Sequence, residues 1–459
     1  MHRCFKIPEI ILLVLQHIKE TDERRQLTLL SVAQTCHILH EPALDVLWDE
    51  QRGLVNLVKC LPEDALGLTP TSVVDSDSPD AIRVSKSILR ITRPLIPADW
   101  ERFDHHARRI KTLWLDEYQC VMDCKVFLWL DTLAMLHLSR PSTQVLPRLK
   151  TLNLQNDVFG LSGRLDMLFG PSLRHLTIQN VKSASREHLA ALITCAAQAS
   201  PNLSFLSSTR PLHPASVRGR LRDIRTLILD LPDNAEHASD LLTWIAELPH
   251  LTTLHLKTVV ASSVITTQAT TPLFTSLDTL HLSADTPRTA CRVLSLLTSA
   301  PLRGLEISTH DFATVQDVQN IIQAVGQYCN TNTMEGIRVK VRSRGQQVHN
   351  TIRLDSMQHL SRFRKLKGLT ICTPTPVELK DEDLGELVSA WPSLRILRLR
   401  HPAREHHEPK LTLLTLMHLA THCPGLQKLH LTLDAQRGMD GLTIRWPLLS
   451  ICLTSALTV

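Results

Sequence analysis

Ala390-Trp-Pro-Ser-Leu-Arg-Ile-Leu-Arg-Leu-Arg400 reads as a helix end, a proline stop and a short strand, with apolar residues at Leu394, Leu397 and Leu399. The same grammar recurs at Ser200-Pro-Asn-Leu-Ser-Phe-Leu, Leu248-Pro-His-Leu-Thr-Thr-Leu-His-Leu, Ala300-Pro-Leu-Arg-Gly-Leu-Glu-Ile and Cys423-Pro-Gly-Leu-Gln-Lys-Leu-His-Leu. Its core is apolar-x-x-apolar-x-apolar. Copies begin at Ile110, Leu149, Leu173, Ile224, Leu251, Leu277, Leu302, Leu366, Leu394 and Leu426. Weaker copies begin at Leu203, where Ser208 takes the last apolar slot, and at Met334. Most intervals are about 21 to 32 residues, the range of repeated supersecondary units.

The segments between these strands carry helical spacing. Thr314 is placed to cap a helix with Val318, Ile321, Ile322 and Val325 on its apolar face. Ser185 stands before Leu189, Leu192, Ile193 and Ala196, Ser239 before Leu241, Leu242, Ile245 and Leu248, and Asp381 before Leu384, Leu387, Val388 and Trp391. Proline after the helix cannot continue it and biases its predecessor toward extended backbone. Each unit is therefore strand, turn, helix, and the wider gap between Ile110 and Leu149 predicts an extra helix. One unit cannot bury its apolar side alone, whereas stacked units can. The expected fold class is α/β, with stacked parallel strands whose outward residues form a broad concave binding face. An ordinary parallel α/β domain is the alternative.

The chain has 459 residues, 43% of them apolar and 4% aromatic, with a formal net charge of +5. That near balance does not call for nucleic acid, and no stretch is long and apolar enough to span a bilayer. Met1 to Glu9 lacks the layout of a signal peptide. The 11 cysteines show no regular spacing. Several, such as Cys36 and Cys195, sit at helical apolar positions, so they read as reduced core residues of a cytoplasmic or nuclear protein.

Residues 5–50 differ in texture. Ile10, Leu13, Val14 and Ile18 mark a first helix, Leu27, Leu30, Ala33 and Cys36 a second, and Glu41 to Trp48 a third, with Pro42 suited to its first turn. Such a module is thin for its size and gains by packing on something else. Ile7-Pro8-Glu9-Ile10-x-x-Leu13-Val14, then Leu27-x-x-Leu30, Thr35-Cys36-His37 and Leu47-Trp48, resembles an F-box. The resemblance covers about 45 residues. It departs from the family pattern at Thr35, where valine is usual, and at Leu39, where an aromatic is usual. It implies docking on a Skp-type adaptor, and through it on a cullin, by Ile7, Pro8, Glu9, Ile10, Leu13, Val14, Leu27, Leu30, Cys36, Leu39 and Trp48.

Residues 51–105 read as a joint, helical over Leu54 to Cys60, with a mobile loop near 69–80. Arg93-Pro94-Leu95, Asp99-Trp100-Glu101-Arg102-Phe103 and Ala107-Arg108-Arg109-Ile110 look like the region after the F-box in fungal F-box-like proteins, which continue into degenerate leucine-rich repeats. Residues 106–459 are the expected repeats, with insertions at 341–351 and 401–410. The end, Trp446 to Val459, is apolar without a polar capping repeat, as in a truncated or misjoined chain.

No catalytic constellation emerges, so the chain reads as a non-enzyme without cofactor. Cys120 and Cys124 have no second pair at zinc-finger spacing. His418 and His422 share a helix face without the glutamate of a metalloprotease helix. His105-His106 and His406-His407 read as exposed loop residues. On the outward strand positions, the early part is polar and partly acidic, with Asp116, Asn153, Gln155 and Asp230. The late part holds Arg338, Lys340, Arg398, Arg400, Lys428 and His430. Arginine forks match carboxylate or phosphate, so these are the candidate substrate contacts, for an acidic or phosphorylated protein segment. Two functions follow: a substrate receptor of a Skp-cullin-F-box ubiquitin ligase, or a leucine-rich-repeat scaffold with no ligase link.

Overall fold

In the computed structural model, the repeated segments are short strands whose alternate residues are buried. The structure describes residues 7–21, 24–74, 83–116, 126–128, 130–140, 144–155, 165–179, 185–232, 234–260, 273–311, 313–341, 351–373, 377–400, 409–434, 450–451 and 454–455. They fall into two units, Met1–Arg210 with Ala215–Leu221, and Pro211–Pro214 with Arg222–Val459. Both are α/β with parallel strands, as expected.

The first unit opens with α1 (Pro8–Thr21), α2 (Arg25–Ala33) and α3 (His37–Trp48). Ile11 and Leu15 join Leu29, Ala33, Ala43, Leu44 and Val46 in their shared core. The buried stripe of α1 therefore runs beside the expected one. Of the four residues read from spacing, Ile18 packs inward, while Ile10, Leu13 and Val14 face out. The α1 sequence is apolar on several sides, so spacing alone could not choose. Cys36, expected on α2, is the N-cap residue of α3. That helix starts earlier than expected, so Pro42 lies inside it rather than in its first turn.

β1 (Glu50–Arg52) follows at once, then α4 (Val55–Val58), β2 (Leu66–Val74), β3 (Arg83–Ile91), α5 (Trp100–Ala107) and β4 (Thr112–Leu115). β2 and β3 form an antiparallel hairpin, so residues 69–74 are strand where a loop was expected. The rest of that expected loop, 75–80, lies outside the described residues. Polar Thr-Pro-Thr-Ser disguised β2, and Pro70 is tolerated because, among the described residues, β2 is an edge strand beside β3. β5 (Val126–Leu128) pairs with β3, and α6 (Leu130–Ser139) is the extra helix expected before Leu149. β6 (Thr151–Gln155), β7 (His175–Gln179), α7 (Arg186–Ala199) and β8 (Phe205–Ser208) complete the unit. The parallel order is β1-β4-β6-β7-β8. Leu113, Leu152, Leu176 and Leu206 make one buried row across it, which ends on Gln51.

After α8 (Pro214–Val217), the second unit runs β9 (Thr226–Leu229), α9 (Ala235–Ala246), β10 (Thr253–Val259), β11 (Thr279–Ala284), α10 (Pro287–Leu294), β12 (Gly304–Thr309) and α11 (Val315–Tyr328). It continues with β13 (Gly336–Val341), α12 (Leu354–Met357), β14 (Gly368–Cys372), α13 (Asp381–Ser389), β15 (Ile396–Arg400), α14 (Leu414–His422) and β16 (Lys428–His430). Short strands β17 (Thr432–Leu433), β18 (Ser450–Ile451) and β19 (Thr454–Ser455) close it, β17 pairing with β19. From β9 to β16 each strand lies parallel to the next in chain order, and β18 pairs with β16.

Capping fixes where these helices start. Thr314 Oγ1 accepts from the Asp317 N–H at 3.2 Å, and the Asp317 carboxylate accepts from the Thr314 N–H at 2.8 Å. Ser185 caps α7 as expected. α9 begins earlier than expected, at Asn234, whose side chain accepts from Glu236 and His237, so Ser239 is inside the helix. Trp391, fully buried, donates from Nε1 to the Leu360 carbonyl at 3.1 Å. Residues 342–350 and 401–408 of the expected insertions lie outside the described residues. Among the described residues no helix is long and apolar enough to cross a membrane.

Charge and ring stacking seat the three helices on their own unit. Arg109, buried, bonds Glu41 and Asp45 of α3. Asp49 takes Lys19 at 2.8 Å and Lys111 at 2.9 Å. The ring of Trp48 stacks on His106 with centroids 4.3 Å apart. His105 and His106 are thus the last turn of α5, not loop residues. Burial, with the charges of His105 and Arg109, pushes the His106 pKa down to about 4. An unfolded histidine titrates near 6.5. Between those values the unfolded chain binds a proton that the folded chain refuses, so this contribution is complete above about pH 6.5 and is lost as pH falls toward 4. His106→Phe keeps a stacking ring and removes the titration. Denaturation midpoints measured from pH 7.5 to 4.5 should fall less steeply in the variant than in wild type.

Candidate functional site

Two surfaces present the sequence-predicted residues, one in each unit. On the first, Ile7, Pro8, Glu9, Ile10, Leu13 and Val14 are exposed at the start of α1, and Leu27 and Leu30 on α2. Ile10, Leu13 and Val14 share one side of α1, because residues three and four apart are neighbours on a helix. Leu13 is 65% and Leu27 is 64% exposed, an unusual state for leucines in a module with its own filled core. Leu12 and Ile38 are exposed as well, and the sequence reading passed over both. Three implied residues lie elsewhere: Leu39 and Trp48 pack against the helical core, and half-buried Cys36 sits at the α3 N-cap.

On the second surface, the strand register sets outward side chains in rows. The central row runs His255, His281, Glu306, Arg338, Thr370, Arg398 and His430 across β10 to β16. Beside it, Ser308, Lys340, Cys372 and Arg400 are in register. On the other flank run Thr279, Gly304, Gly336, Gly368, Ile396 and Lys428. A Cβ at Gly336 would meet nothing within 4 Å, so this flank is low where the three glycines stack. Thr370 holds an outward position yet is buried between Arg338 and Arg398, and Asn153 of the first unit is likewise buried beside Trp114.

The basic residues of this surface divide in two. Arg338 and Lys340 are held by one carboxylate, Glu306, at 3.1 Å and 2.6 Å, with His281 3.4 Å away on its other side. Burial opposes ionisation of Glu306, but the Lys340 hydrogen bond and the charges of Arg338, Lys340 and His281 outweigh it and hold its pKa below the ordinary value. Arg398, Arg400 and Lys428 form no ion pair among the described residues. His430 lies beside them, its pKa lowered by burial and by the charges of Arg400 and Arg398.

Other flagged residues do not assemble into chemistry. His418 packs over α13, where a Cβ at Gly385 would lie 2.8 Å from its Nδ1. Cys195, expected in the core, is exposed, and the described cysteines form no disulfide with one another. Cys120, Cys124, His406 and His407 lie outside the described residues. Among the described residues no group of three or more His, Cys, Asp or Glu could hold a metal ion. No family model matches the chain, and no curated protein matches it in sequence.

The Glu306 cluster makes a testable contribution to stability. Its carboxyl pKa is lowered on folding, so the contribution is present above the unfolded value near 4.3 and is lost as pH falls through the folded value. Glu306→Gln should lower stability at pH 7 by about 0.2–1 kcal/mol, the range for part-exposed pairs. That deficit should shrink below pH 4 when urea midpoints of the two proteins are compared.

Proposed function

We propose that this chain is the substrate-recognition subunit of a ubiquitin ligase of the Skp-cullin-F-box type. In this reading α1 to α3 are an F-box, the strand–helix units are degenerate leucine-rich repeats, and the repeats choose a protein substrate. The observation that carries it is the second apolar side of α1 and α2. Ile11, Leu15, Leu29 and Ala33 already fill the helical core, so among the described residues Ile7, Ile10, Leu13, Val14, Leu27 and Leu30 stay exposed outside it. Covering one such leucine contributes about 1.5–3 kcal/mol. A Skp-type adaptor is the partner that the F-box resemblance of the same residues implies. Docking there leaves the outward strand rows of the second unit to take a substrate. The chain itself makes no bonds in this scheme; it brings a substrate to the ligase.

Co-purification of the full chain with a Skp-type adaptor tests the proposal. Wild type should co-elute with it. Leu13→Asp and Leu27→Asp place a charge that the interface must desolvate, at a cost of several kcal/mol. Each should lose the adaptor while keeping the wild-type melting temperature, because both sites are exposed. Leu15→Asp should instead destabilise the helices themselves. Undiminished adaptor binding by the doubly substituted Leu13→Asp, Leu27→Asp protein would remove α1 and α2 as the docking side, and failure of wild type to co-elute would leave only a scaffold with no ligase link.

A further inference from the structure

Of the outward lysines and arginines on β13, β15 and β16, two are ion-paired among the described residues and three are not. Glu306 occupies Arg338 and Lys340, as it does His281. Elsewhere in the unit Lys367 takes Glu335, Arg303 takes Asp278 and Lys410 takes Glu378. Arg398 and Arg400 stand on the same side of β15, with Lys428 and His430 on β16 next to them. Alternate residues of a strand are about 6.6 Å apart and neighbouring strands about 4.8 Å. Two guanidinium groups, an ammonium and an imidazole therefore lie within side-chain reach of one point above β15 and β16. Burial first, and then the charges of Arg400 and Arg398, lower the His430 pKa.

We infer that Arg398, Arg400 and Lys428, with His430, bind a phosphoserine- or phosphothreonine-bearing segment of a partner protein. The inference rests on the proposed receptor role for its biological setting and on charge complementarity for its chemistry. A carboxylate has two oxygens and satisfies one guanidinium fork, whereas a phosphate monoester brings three acceptor oxygens and a charge of about −1.5 to −2. Two convergent arginines with a lysine match the second better. A nucleic acid is the poorer fit. Its affinity comes from many phosphate contacts along an extended basic track, and here the track is interrupted at Arg338 and Lys340, which already share the Glu306 carboxylate. The low glycine flank at Gly304, Gly336 and Gly368 leaves main-chain room beside the charges. It indicates a path for an extended peptide and is not itself the binding group.

The probe is a pair of degenerate peptide libraries, one with a fixed central phosphothreonine and one with glutamate there, applied to the full chain without adaptor. The phosphothreonine library should be retained at least about tenfold more strongly than the glutamate one, as expected for a dianion against a single carboxylate. Retention should weaken with salt, fall to the glutamate level in Arg398→Gln, Arg400→Gln, and persist in Arg338→Gln, Lys340→Gln. Equal retention of the two libraries would overturn the assignment. So would loss in the Arg338, Lys340 variant alone, or equal displacement by a single-stranded DNA of the same charge. The adaptor is absent from this assay, and Arg398 and Arg400 lie outside α1 and α2. A failed phosphopeptide assay therefore leaves adaptor docking standing, and failed docking leaves the anion site standing.

Discussion

Burial of the inward row of each sheet is the constraint from which the rest follows. In the second unit Leu227, Leu254, Leu280, Leu305, Ile337, Leu369, Leu397 and Leu429 are in register and buried. A second row, Leu229, Leu256, Leu282, Ile307, Val339, Ile371 and Leu399, runs beside it. Because side chains alternate along a strand, slipping one strand by a single residue would turn a whole inward set outward. The register is therefore fixed strongly. The same fixed register places His281, Glu306 and Arg338 side by side, although they are far apart in sequence.

This row pattern was the most legible feature of the chain. The anchors from Ile110 to Leu426 are buried at the heads of parallel strands, because the apolar period holds from copy to copy and proline marks the entry at Leu149, Leu173, Leu203, Leu251, Leu302, Leu394 and Leu426. The three N-terminal helices were legible as helices but not as faces. Ile10, Ile11, Leu12, Leu13, Val14 and Leu15 are consecutive apolar residues, and only the packing of α2 and α3 selects Ile11 and Leu15 for the core. The hairpin of β2 and β3 was hidden by polar strand residues, and Ser239 was a plausible cap until Asn234 proved to hold that place.

The candidate site was legible in part. Spacing put Arg338, Lys340, Arg398 and Arg400 on one outward side, and the strands do present them there. Spacing could not show which of them were already paired, because Glu306 reaches Arg338 and Lys340 through strand register rather than through local sequence. The exposed apolar side of α1 was likewise visible only after the core had taken its share. In both places composition named the residues, and competition among neighbours decided which remained available.

From β9 to β16 the strands pair in chain order, and this has a last consequence. Among the described residues, β15 pairs with β14 and β16 alone. Exchanging a few of its outward residues can therefore rewrite what the surface recognises while the leucine rows beneath it stay as they are. Recognition can drift quickly over a scaffold that hardly changes, and two chains built this way could share every inward residue yet select unrelated targets.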